Sequence, residues 1–205
     1  MTEVYQFSFS REKDTLRYTY RNMRVAVIGP QNTGKSTFVT DFIRAFPQFA
    51  TPAESYRDVI KKNNLSINQL TGTESQRLIR DFIYQQVETA ADNTVFDRCL
   101  IDNYVYTWYA HTQGNIEEGF LRETENMMRE SVTHIDLLLF IPTALSIPLV
   151  EDALRDTNSA YIDCVNRMFI QTLFSLIEKT HIQVLSIGGS REERIQQVRT
   201  ALNLE

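Results

Sequence analysis

The feature that most constrains this chain lies between residues 24 and 47. Arg24-Val-Ala-Val-Ile-Gly29 is a continuous apolar run rich in β-branched residues, which is typical of a strand buried on both faces of a parallel sheet. From Lys35 onward, apolar residues recur at helical spacing until Pro47 ends the pattern. The segment therefore predicts a buried strand, a tight glycine-containing turn and an amphipathic helix in direct succession.

The turn matches the phosphate-binding pattern G-x-x-x-x-G-K-[ST] at every fixed position. A chance match in a chain of this length is on the order of 1%. The glycines let backbone N–H groups turn toward phosphates, and the helix N-terminus adds free donors and positive partial charge. Lys35 is then expected to reach the β- and γ-phosphates of ATP, and the Ser36 hydroxyl to ligate Mg²⁺. The predicted nucleotide-binding residues are Gly29, Pro30, Gln31, Asn32, Thr33, Gly34, Lys35, Ser36 and Thr37.

Strands and helices alternate along the rest of the chain. Hydrophobic patterning predicts further strands at 49–54, 94–97, 135–141 and 184–187. Further helices are predicted at 55–62, at 73 to about 90, between residue 97 and residue 111, at 117–131, at 160–179 and from residue 191 onward. The helix predicted from residue 73 begins at Thr73, which with Gln76 fits a capping box. This order predicts an α/β fold of three layers with a mostly parallel, five-stranded sheet, the fold of P-loop NTPases.

The first 22 residues have a different pattern from the remainder. Apolar and polar residues alternate on both sides of a charged turn at 11–15, which predicts a β-hairpin. We therefore divide the chain into a hairpin extension (1–22) and a P-loop domain (23–205) with a polar lid at about 146–158. Edge-strand addition and a homodimer contact are the two alternatives for the hairpin.

Two charged residues lie at the carboxyl end of the predicted strand 94–97. Asp97 ends this strand, and an Asp at the carboxyl end of a parallel strand points into the crevice where ligands bind. We assign it to Mg²⁺ and to deprotonating an attacking hydroxyl, the alternative being an N-cap of the next helix. Arg98 is a candidate for holding an acceptor or the transferred phosphate, with a surface ion pair as the alternative.

Three further charged residues are candidates on other segments. Glu54 ends the predicted second strand and Arg57 follows one turn later, so both are expected on the acceptor side of the crevice, where Glu54 could bind a sugar hydroxyl of the acceptor or act as a catalytic base. Glu54 could also be a charge at a helix start, favourable to the helix dipole. Arg155 lies in the polar lid, from which it could deliver a cation to the charge developing during phosphoryl transfer, or remain in a solvated loop.

Composition and charge restrict the partners. The net charge is −5, from 21 basic and 26 acidic residues, and the basic residues are dispersed, so duplex nucleic acid is not expected as a partner. The longest apolar stretch, 135–150, is interrupted by charged and proline residues, so no membrane span is predicted. No targeting segment is visible before residue 14, which favours a cytoplasmic protein. Cys99 and Cys164 lack metal-ligand spacing and are expected to be reduced thiols.

Five short segments occur in an order that is typical of one protein family. They are GPQNTGKST at 29–37, AESYR at 53–57, TESQRLIRDF at 73–82, VFDR at 95–98 and LVEDALRD at 149–156. Together they resemble P-loop proteins typified by the kinase domain that phosphorylates nicotinamide riboside, within the nucleoside and nucleotide kinase group. The resemblance implies ATP and Mg²⁺ at residues 29–37 with Asp97, an acceptor near Glu54, Arg57 and Arg98, and a lid containing Arg155.

Two positions depart from the pattern of that family. Asp152-Ala-Leu-Arg155 has no Gly before its Arg, whereas the family tends to have Asp-Gly-x-Arg. Asp97-Arg98 is closer to the Asp-Arg pattern of deoxynucleoside and thymidylate kinases. The acceptor expected from the sequence is accordingly a nucleoside, a nucleotide or nicotinamide riboside.

Three functions are compatible with these residues. The leading hypothesis is an ATP- and Mg-dependent phosphotransferase acting on a small, nucleoside-like molecule. The alternative is a regulatory or partner-dependent P-loop ATPase without a small-molecule acceptor. The third is a polynucleotide 5′-kinase, which the net negative charge of the chain disfavours. A GTPase switch is disfavoured because the sequence contains no Asn-Lys-x-Asp motif.

Overall fold

The computed structural model describes residues 23–65, 71–143 and 158–202. Its strands in chain order are β1 (Arg24–Ile28), β2 (Thr94–Asp97), β3 (Leu137–Phe140) and β4 (Gln183–Ser186). Its α-helices are α1 (Lys35–Ala45), α2 (Tyr56–Asn63), α3 (Thr73–Thr89), α4 (Leu100–Thr112), α5 (Glu118–Ser131), α6 (Ser159–Lys179) and α7 (Arg191–Ala201), and a 3₁₀ helix (Val132–His134) precedes β3.

The four strands of the described ranges form one parallel sheet in the order β2, β1, β3, β4. β1 lies between β2 and β3, and Val27 pairs with Asp97 on one side and with Leu139 on the other. The chain therefore passes from β1 to β2 in one direction and then crosses back over β1 to reach β3. In open α/β sheets such a reversal creates a crevice at the carboxyl ends of the strands. The end of β1 and the end of β2 both open onto this crevice.

Alternate residues of β1 face two separate layers of helices. Val25 and Val27 belong to a core that includes side chains of α1 and α7. Ala26 and Ile28 belong to a larger core with side chains of α3, α4 and α6. All four residues are fully buried, as expected of a central strand covered on both faces. The predicted three-layer α/β fold with a parallel sheet is thereby confirmed.

The prediction of a fifth strand at 49–54 is wrong. In this segment only Ala50 forms a β-bridge, to Thr94 at the outer side of β2. Its amide donates to the carbonyl of Asn93, and its carbonyl accepts from the amide of Val95. Pro52 has no amide hydrogen with which to extend this pairing, so the contact stays one residue long. The described sheet accordingly has four strands rather than five.

The remaining predicted elements of the described ranges are present within a few residues of their expected bounds. The proposed capping box at Thr73 is wrong, because Gly72 is the N-cap of α3 and Thr73 is its first helical residue. The Gln76 side chain instead donates to Oγ1 of Thr71. The predicted hairpin (1–22) and residues 146–157 of the predicted lid, with Arg155, lie outside the described residues. No helix in the described ranges is long and apolar enough to cross a membrane.

Candidate functional site

The loop that joins β1 to α1 is built around two glycines with positive φ. Gly29 has a φ of 140°, and a Cβ at this position would collide with the carbonyl oxygen of Ile141, the residue after β3. Gly34 has a φ of 82° and is the N-cap of α1. Residues with a side chain rarely adopt either conformation, so only glycine fits both positions without strain. The loop is thereby held tightly against the carboxyl end of the sheet.

The N-terminus of α1 presents free hydrogen-bond donors toward the crevice. Within the described residues, no side chain caps Gly34, and the first turn contains no acidic residue. An α-helix leaves its first amide groups without partners inside the helix, and its N-terminus carries positive partial charge. This end of α1 can therefore bind an anion such as a phosphate.

Lys35 is buried, with 5% of its surface exposed, and its side chain folds back over the loop. Its Nζ donates to the carbonyl oxygen of Pro30 and lies 3.4 Å from Oγ1 of Thr33. Burial, and secondarily the positive charge of Arg98, lower the pKa of Lys35 well below its usual range. An anionic ligand in the loop would offset both effects and stabilise the charged ammonium.

Ser36, Asp97 and Arg57 form a polar cluster at the mouth of the loop. Ser36 Oγ donates to Asp97 Oδ2 over 2.6 Å. Arg57 Nη1 lies 3.0 Å from Ser36 Oγ and 3.3 Å from Asp97 Oδ2. The second carboxylate oxygen, Asp97 Oδ1, is buried and has no hydrogen-bond partner among the described residues. Asp97 is not an N-cap, since that position of α4 belongs to Cys99.

The Ser36 and Asp97 oxygens fit a Mg²⁺ ion. Mg²⁺ prefers hard oxygen ligands and usually takes one or two from the protein, with phosphates and waters completing its shell. A hydroxyl and a carboxylate with one unpartnered oxygen meet that requirement beside the phosphate-binding end of α1. In this structure the guanidinium of Arg57 supplies positive charge to the same two side chains.

Arg98 follows directly and has a strained backbone. Its φ is 89°, a conformation rarely adopted by residues with a side chain. Its amide donates to the carbonyl of Val27 over 3.0 Å, and its Nη1 donates to Oδ1 of Asp102 over 3.0 Å. The guanidinium carbon lies 4.8 Å from the ring centre of Tyr56 and 5.4 Å from that of Tyr106. Arg98 is thus not in a surface ion pair but in the wall of a cleft, with only 10% of its side chain exposed.

This cleft opens beside the phosphate loop between α2, α3 and α4, and we call it the acceptor cleft because an acceptor is expected from the sequence beside Arg57 and Arg98, which line it. One part of its wall is apolar and is formed by Ile60, Ile79 and Ile83. The other part is polar and aromatic and is formed by Gln31, Tyr56, Arg57, Gln76, Arg98, Asp102, Asn103 and Tyr106. An apolar wall with a few fixed polar groups is typical of a small-molecule binding site.

Tyr106 connects the acceptor cleft to the phosphate loop. Its hydroxyl donates to Gln31 Oε1 over 2.7 Å and accepts the backbone amide of Gln31 over 3.1 Å. Burial raises the pKa of Tyr106 to about 12, so the hydroxyl keeps its proton at neutral pH. Gln31 therefore belongs to the phosphate loop and to the cleft wall at once.

Two buried amide side chains lie at the base of the cleft. Asn103 Nδ2 donates to Gln76 Oε1 over 2.7 Å, and Gln76 Nε2 donates to Thr71 Oγ1 over 2.8 Å. Asn103 Oδ1 is buried and lacks a hydrogen-bond partner within the described ranges. A buried unpaired acceptor is costly, so this oxygen fits a donor group of a ligand.

Comparison with known proteins places this architecture in a family. A family model described as AAA domain matches residues 24–194, most of the chain. The chain belongs to this family of AAA domains. Comparison with curated protein sequences finds no match for it.

Solved structures share the fold of this AAA domain at low sequence identity. The NadR protein in complex with NR is 19% identical with a TM-score of 0.64, and the match covers 90% of this chain but 52% of that chain. The deoxyadenosine kinase from M. mycoides with bound dATP is 14% identical with a TM-score of 0.67, covering 88% of this chain and 99% of that chain. This AAA domain thus spans about half the length of the NadR chain, and its fold is that of P-loop kinases.

The AAA domain brings together most of the residues that sequence reasoning selected. Lys35, Ser36, Asp97, Arg57 and Arg98 all lie at or beside the phosphate loop. Their catalytic and binding roles stay predictions.

Glu54 lies apart from this group. It is exposed before α2 and does not line the acceptor cleft. Its backbone carbonyl accepts a hydrogen bond from the Gln86 side chain. Arg155 is outside the described residues, so no geometry bears on its predicted role.

The polar wall of the cleft, in particular Gln76 and Asn103, is not among the site residues predicted from the sequence. The sequence does contain a signal for Gln76, because this residue is in helical register with Ile79, Ile83 and Val87 on the buried face of α3. A polar residue in an apolar stripe indicates a buried partner or a ligand. The capping-box interpretation assigned Gln76 a local role and so concealed this signal.

Proposed function

We propose that this AAA domain transfers the γ-phosphoryl group of ATP to a small, nucleoside-like molecule bound in the acceptor cleft. The observation that carries the proposal concerns Gln31, which is part of the phosphate loop and also lines the partly apolar cleft. Two hydrogen bonds join Gln31 to Tyr106 in the wall of that cleft. A regulatory ATPase needs a phosphate loop, but it has no need of a small-molecule cleft beside it. The cleft therefore favours the phosphotransferase over the ATPase.

On the donor side, the residues of the loop bind the nucleotide. The free amides of α1 and the Lys35 ammonium would neutralise the β- and γ-phosphates, with Lys35 leaving the Pro30 carbonyl to reach them. Ser36 and Asp97 would hold Mg²⁺, which supplies charge neutralisation to the phosphate oxygens. In this proposal Arg57 leaves the Ser36 and Asp97 oxygens when the metal binds, and remains within reach of the transferred phosphate.

On the acceptor side, the apolar wall formed by α2 and α3 would pack against a flat ring. The unpartnered Asn103 Oδ1 would accept a hydrogen bond from the acceptor, and Gln76 would fix the orientation of Asn103. Arg98, held between two tyrosine rings, would contact the reacting hydroxyl or its phosphate.

The acceptor hydroxyl must lose a proton during transfer. Asp97 is our candidate for the general base, because Asp97 Oδ1 is free to accept a hydrogen bond. We keep Glu54 as a further acceptor contact or an alternative base, and Arg155 as the lid cation, as expected from the sequence for both. An acceptor of this kind is a nucleoside, a nucleotide or nicotinamide riboside, and the proteins of similar fold that were solved with NR and dATP support this choice.

The test is ATP consumption with Mg²⁺, measured with and without a panel of nucleosides, nucleoside monophosphates and nicotinamide riboside. Stimulation by one panel member is the expected result. Asn103→Ala should raise the KM for that acceptor with little change in the KM for ATP. Asp92→Ala, at an exposed position away from the cleft, is the matched control.

Slow ATP turnover that no small molecule stimulates would contradict the proposal and favour a regulatory ATPase. A parallel assay with 5′-hydroxyl oligonucleotides covers the third function, and stimulation by these alone would favour a polynucleotide kinase.

A further inference from the structure

We infer that Arg194 is a positioning residue of the nucleotide site, which holds the phosphate loop in its anion-binding conformation from the side opposite the acceptor cleft. This inference rests on the proposed function, because it assumes that the loop binds a triphosphate. Arg194 lies in the first turn of α7, far from the phosphate loop in sequence.

The guanidinium of Arg194 joins two loops. Its Nη1 donates to the carbonyl oxygen of Thr33 over 2.9 Å, in the phosphate loop. Its Nε donates to the carbonyl oxygen of Gly189 over 3.1 Å, in the connection from β4 to α7. Only 6% of Arg194 is exposed, and its hydrogen bond to Thr33 is buried. A single buried side chain therefore fixes the phosphate loop to the last helix.

The hydrogen bond to Thr33 orients the next peptide group. In a trans peptide the carbonyl and the following amide N–H point in opposite directions. Because the Thr33 carbonyl points to Arg194, the amide of Gly34 points away from α7. A Cβ at Gly34 would lie 3.3 Å from Arg194 Nη1, so the guanidinium packs directly against the backbone of the phosphate loop at Gly34. Removal of the guanidinium would free this peptide to rotate and would disorder the donors that follow it.

The charge of Arg194 supports the same conclusion. In the described part of the chain no carboxylate pairs with it, and its hydrogen bonds go to backbone carbonyls. A buried cation without a counter-charge is unfavourable. A triphosphate in the adjacent loop would supply negative charge and lower that cost. Arg194 thus favours an anionic ligand both by shaping the loop and by its own charge.

Arg199 is a matched control on the same helix. Its Nη2 donates to the carbonyl of Ala45 over 3.3 Å, and its guanidinium lies 5.1 Å from the ring of Phe46. It thus binds a backbone carbonyl at the opposite end of α1 from the phosphate loop. Substitution of Arg199 should lower stability without changing anion affinity.

The experiment measures the affinity of the full chain for ATP and for inorganic tripolyphosphate by calorimetry, in wild type, Arg194→Met, Arg194→Lys and Arg199→Met. Tripolyphosphate has the charges of the nucleotide without its base. We expect Arg194→Met to lose about tenfold or more in affinity for both ligands, the scale of a lost charge-assisted hydrogen bond. We expect Arg194→Lys to recover part of the loss and Arg199→Met to bind as wild type does.

Kinetics with the acceptor give a second readout. Arg194→Lys should raise the KM for ATP while leaving the KM for the acceptor unchanged, which a general loss of stability would not do. Wild-type affinity for tripolyphosphate in Arg194→Met, or equal losses in Arg199→Met, would overturn this inference alone. Failure of wild type to bind either anion would overturn the proposed function as well. Should Arg194→Met not fold, Arg194→Lys carries the test by itself, and unchanged anion affinity in it would overturn the inference.

Discussion

Ser36 Oγ donates a 2.6 Å hydrogen bond to Oδ2 of Asp97 and so joins the first turn of α1 to the end of β2. Ser36 follows β1 along the chain, and Asp97 ends β2, the strand next to β1, so a hydroxyl and a carboxylate meet at the carboxyl end of the sheet. The pairing leaves Asp97 Oδ1 without a partner among the described residues. This arrangement is where we expect metal binding and proton removal to take place.

Replacement of Asp97 by Asn tests that expectation. The amide keeps the shape of the side chain and removes its charge, so kcat should fall by about 100-fold or more, the scale of a lost general base. The affinity for ATP should fall much less, because Lys35 and the free amides of α1 are expected to bind the triphosphate. Single-turnover kinetics and ATP calorimetry measure the two separately. Equal losses in kcat and in ATP affinity would instead assign Asp97 a structural role.

Arg57 should compete with a divalent cation for the Ser36 and Asp97 oxygens. Its Nη1 is 3.0 Å from Ser36 Oγ and 3.3 Å from Asp97 Oδ2, so a metal and the guanidinium cannot occupy this position together. Arg57→Gln should therefore bind Mn²⁺ several-fold more tightly than wild type in the absence of nucleotide. Electron paramagnetic resonance of free Mn²⁺ measures this affinity.

The matched control for that measurement is Arg77→Gln, an exposed arginine on α3. It removes the same charge from the chain but lies outside the Ser36 and Asp97 cluster. Identical Mn²⁺ affinities in wild type and Arg57→Gln would show that Arg57 does not compete with the metal.

Gly29 should tolerate no side chain. A Cβ there would meet the carbonyl of Ile141, and φ is 140°, so Gly29→Ala should lower the free energy of unfolding by about 2 kcal/mol or more. Gly72→Ala is the control, since no atom of the described residues lies within 4 Å of a Cβ at that position. Urea denaturation compares the two variants with wild type. Equal effects of the two substitutions would refute the steric account of the loop.

The ion pair between Asp41 on α1 and Arg191 on α7 should make stability depend on pH. Two hydrogen bonds join the side chains, at 2.7 and 2.5 Å, and they lower the pKa of Asp41. A carboxyl with a lowered pKa in the folded state contributes stability above its unfolded pKa of about 3.9, and this is lost as pH falls through the folded value. Asp41→Asn should therefore be less stable than wild type at pH 7, and the difference should shrink toward pH 2.

Urea denaturation at a series of pH values measures this difference, with Asp92→Asn as a control at an exposed position. A difference between wild type and Asp41→Asn that stays constant down to pH 2 would mean that the charge of Asp41 contributes nothing.

The phosphate loop and the parallel sheet could be predicted because their signals are local. The run of β1 is apolar along its whole length, and the loop needs fixed residue types at fixed spacing. Asp97 was found for a similar reason, since it ends a short, strongly β-type segment. The wrong prediction of a strand at 49–54 also has a local cause. Pro52 prevents the strand pairing that the neighbouring residues favour, and only the bridge of Ala50 forms.

The acceptor cleft could not be predicted in the same way, because its wall combines side chains from four separate segments. Tyr106 reaches Gln31 across 75 residues of sequence, and Asn103 reaches Gln76 across 27. Such contacts depend on how α3 and α4 pack, which no spacing within one helix encodes. Arg194 is a similar case: its partner in the phosphate loop is 161 residues away.

The measurement that tests the central claim most directly is the fate of the γ-phosphoryl group of ATP, followed by ³¹P NMR. Wild type and Lys35→Ala are each incubated with ATP, Mg²⁺ and the pooled acceptors, with Lys179→Ala as a control at an exposed lysine. The account predicts that wild type and Lys179→Ala form ADP and an organic phosphate in equal amounts, while folded Lys35→Ala forms neither. Release of inorganic phosphate in place of an organic product, or unimpaired transfer by Lys35→Ala, would contradict it.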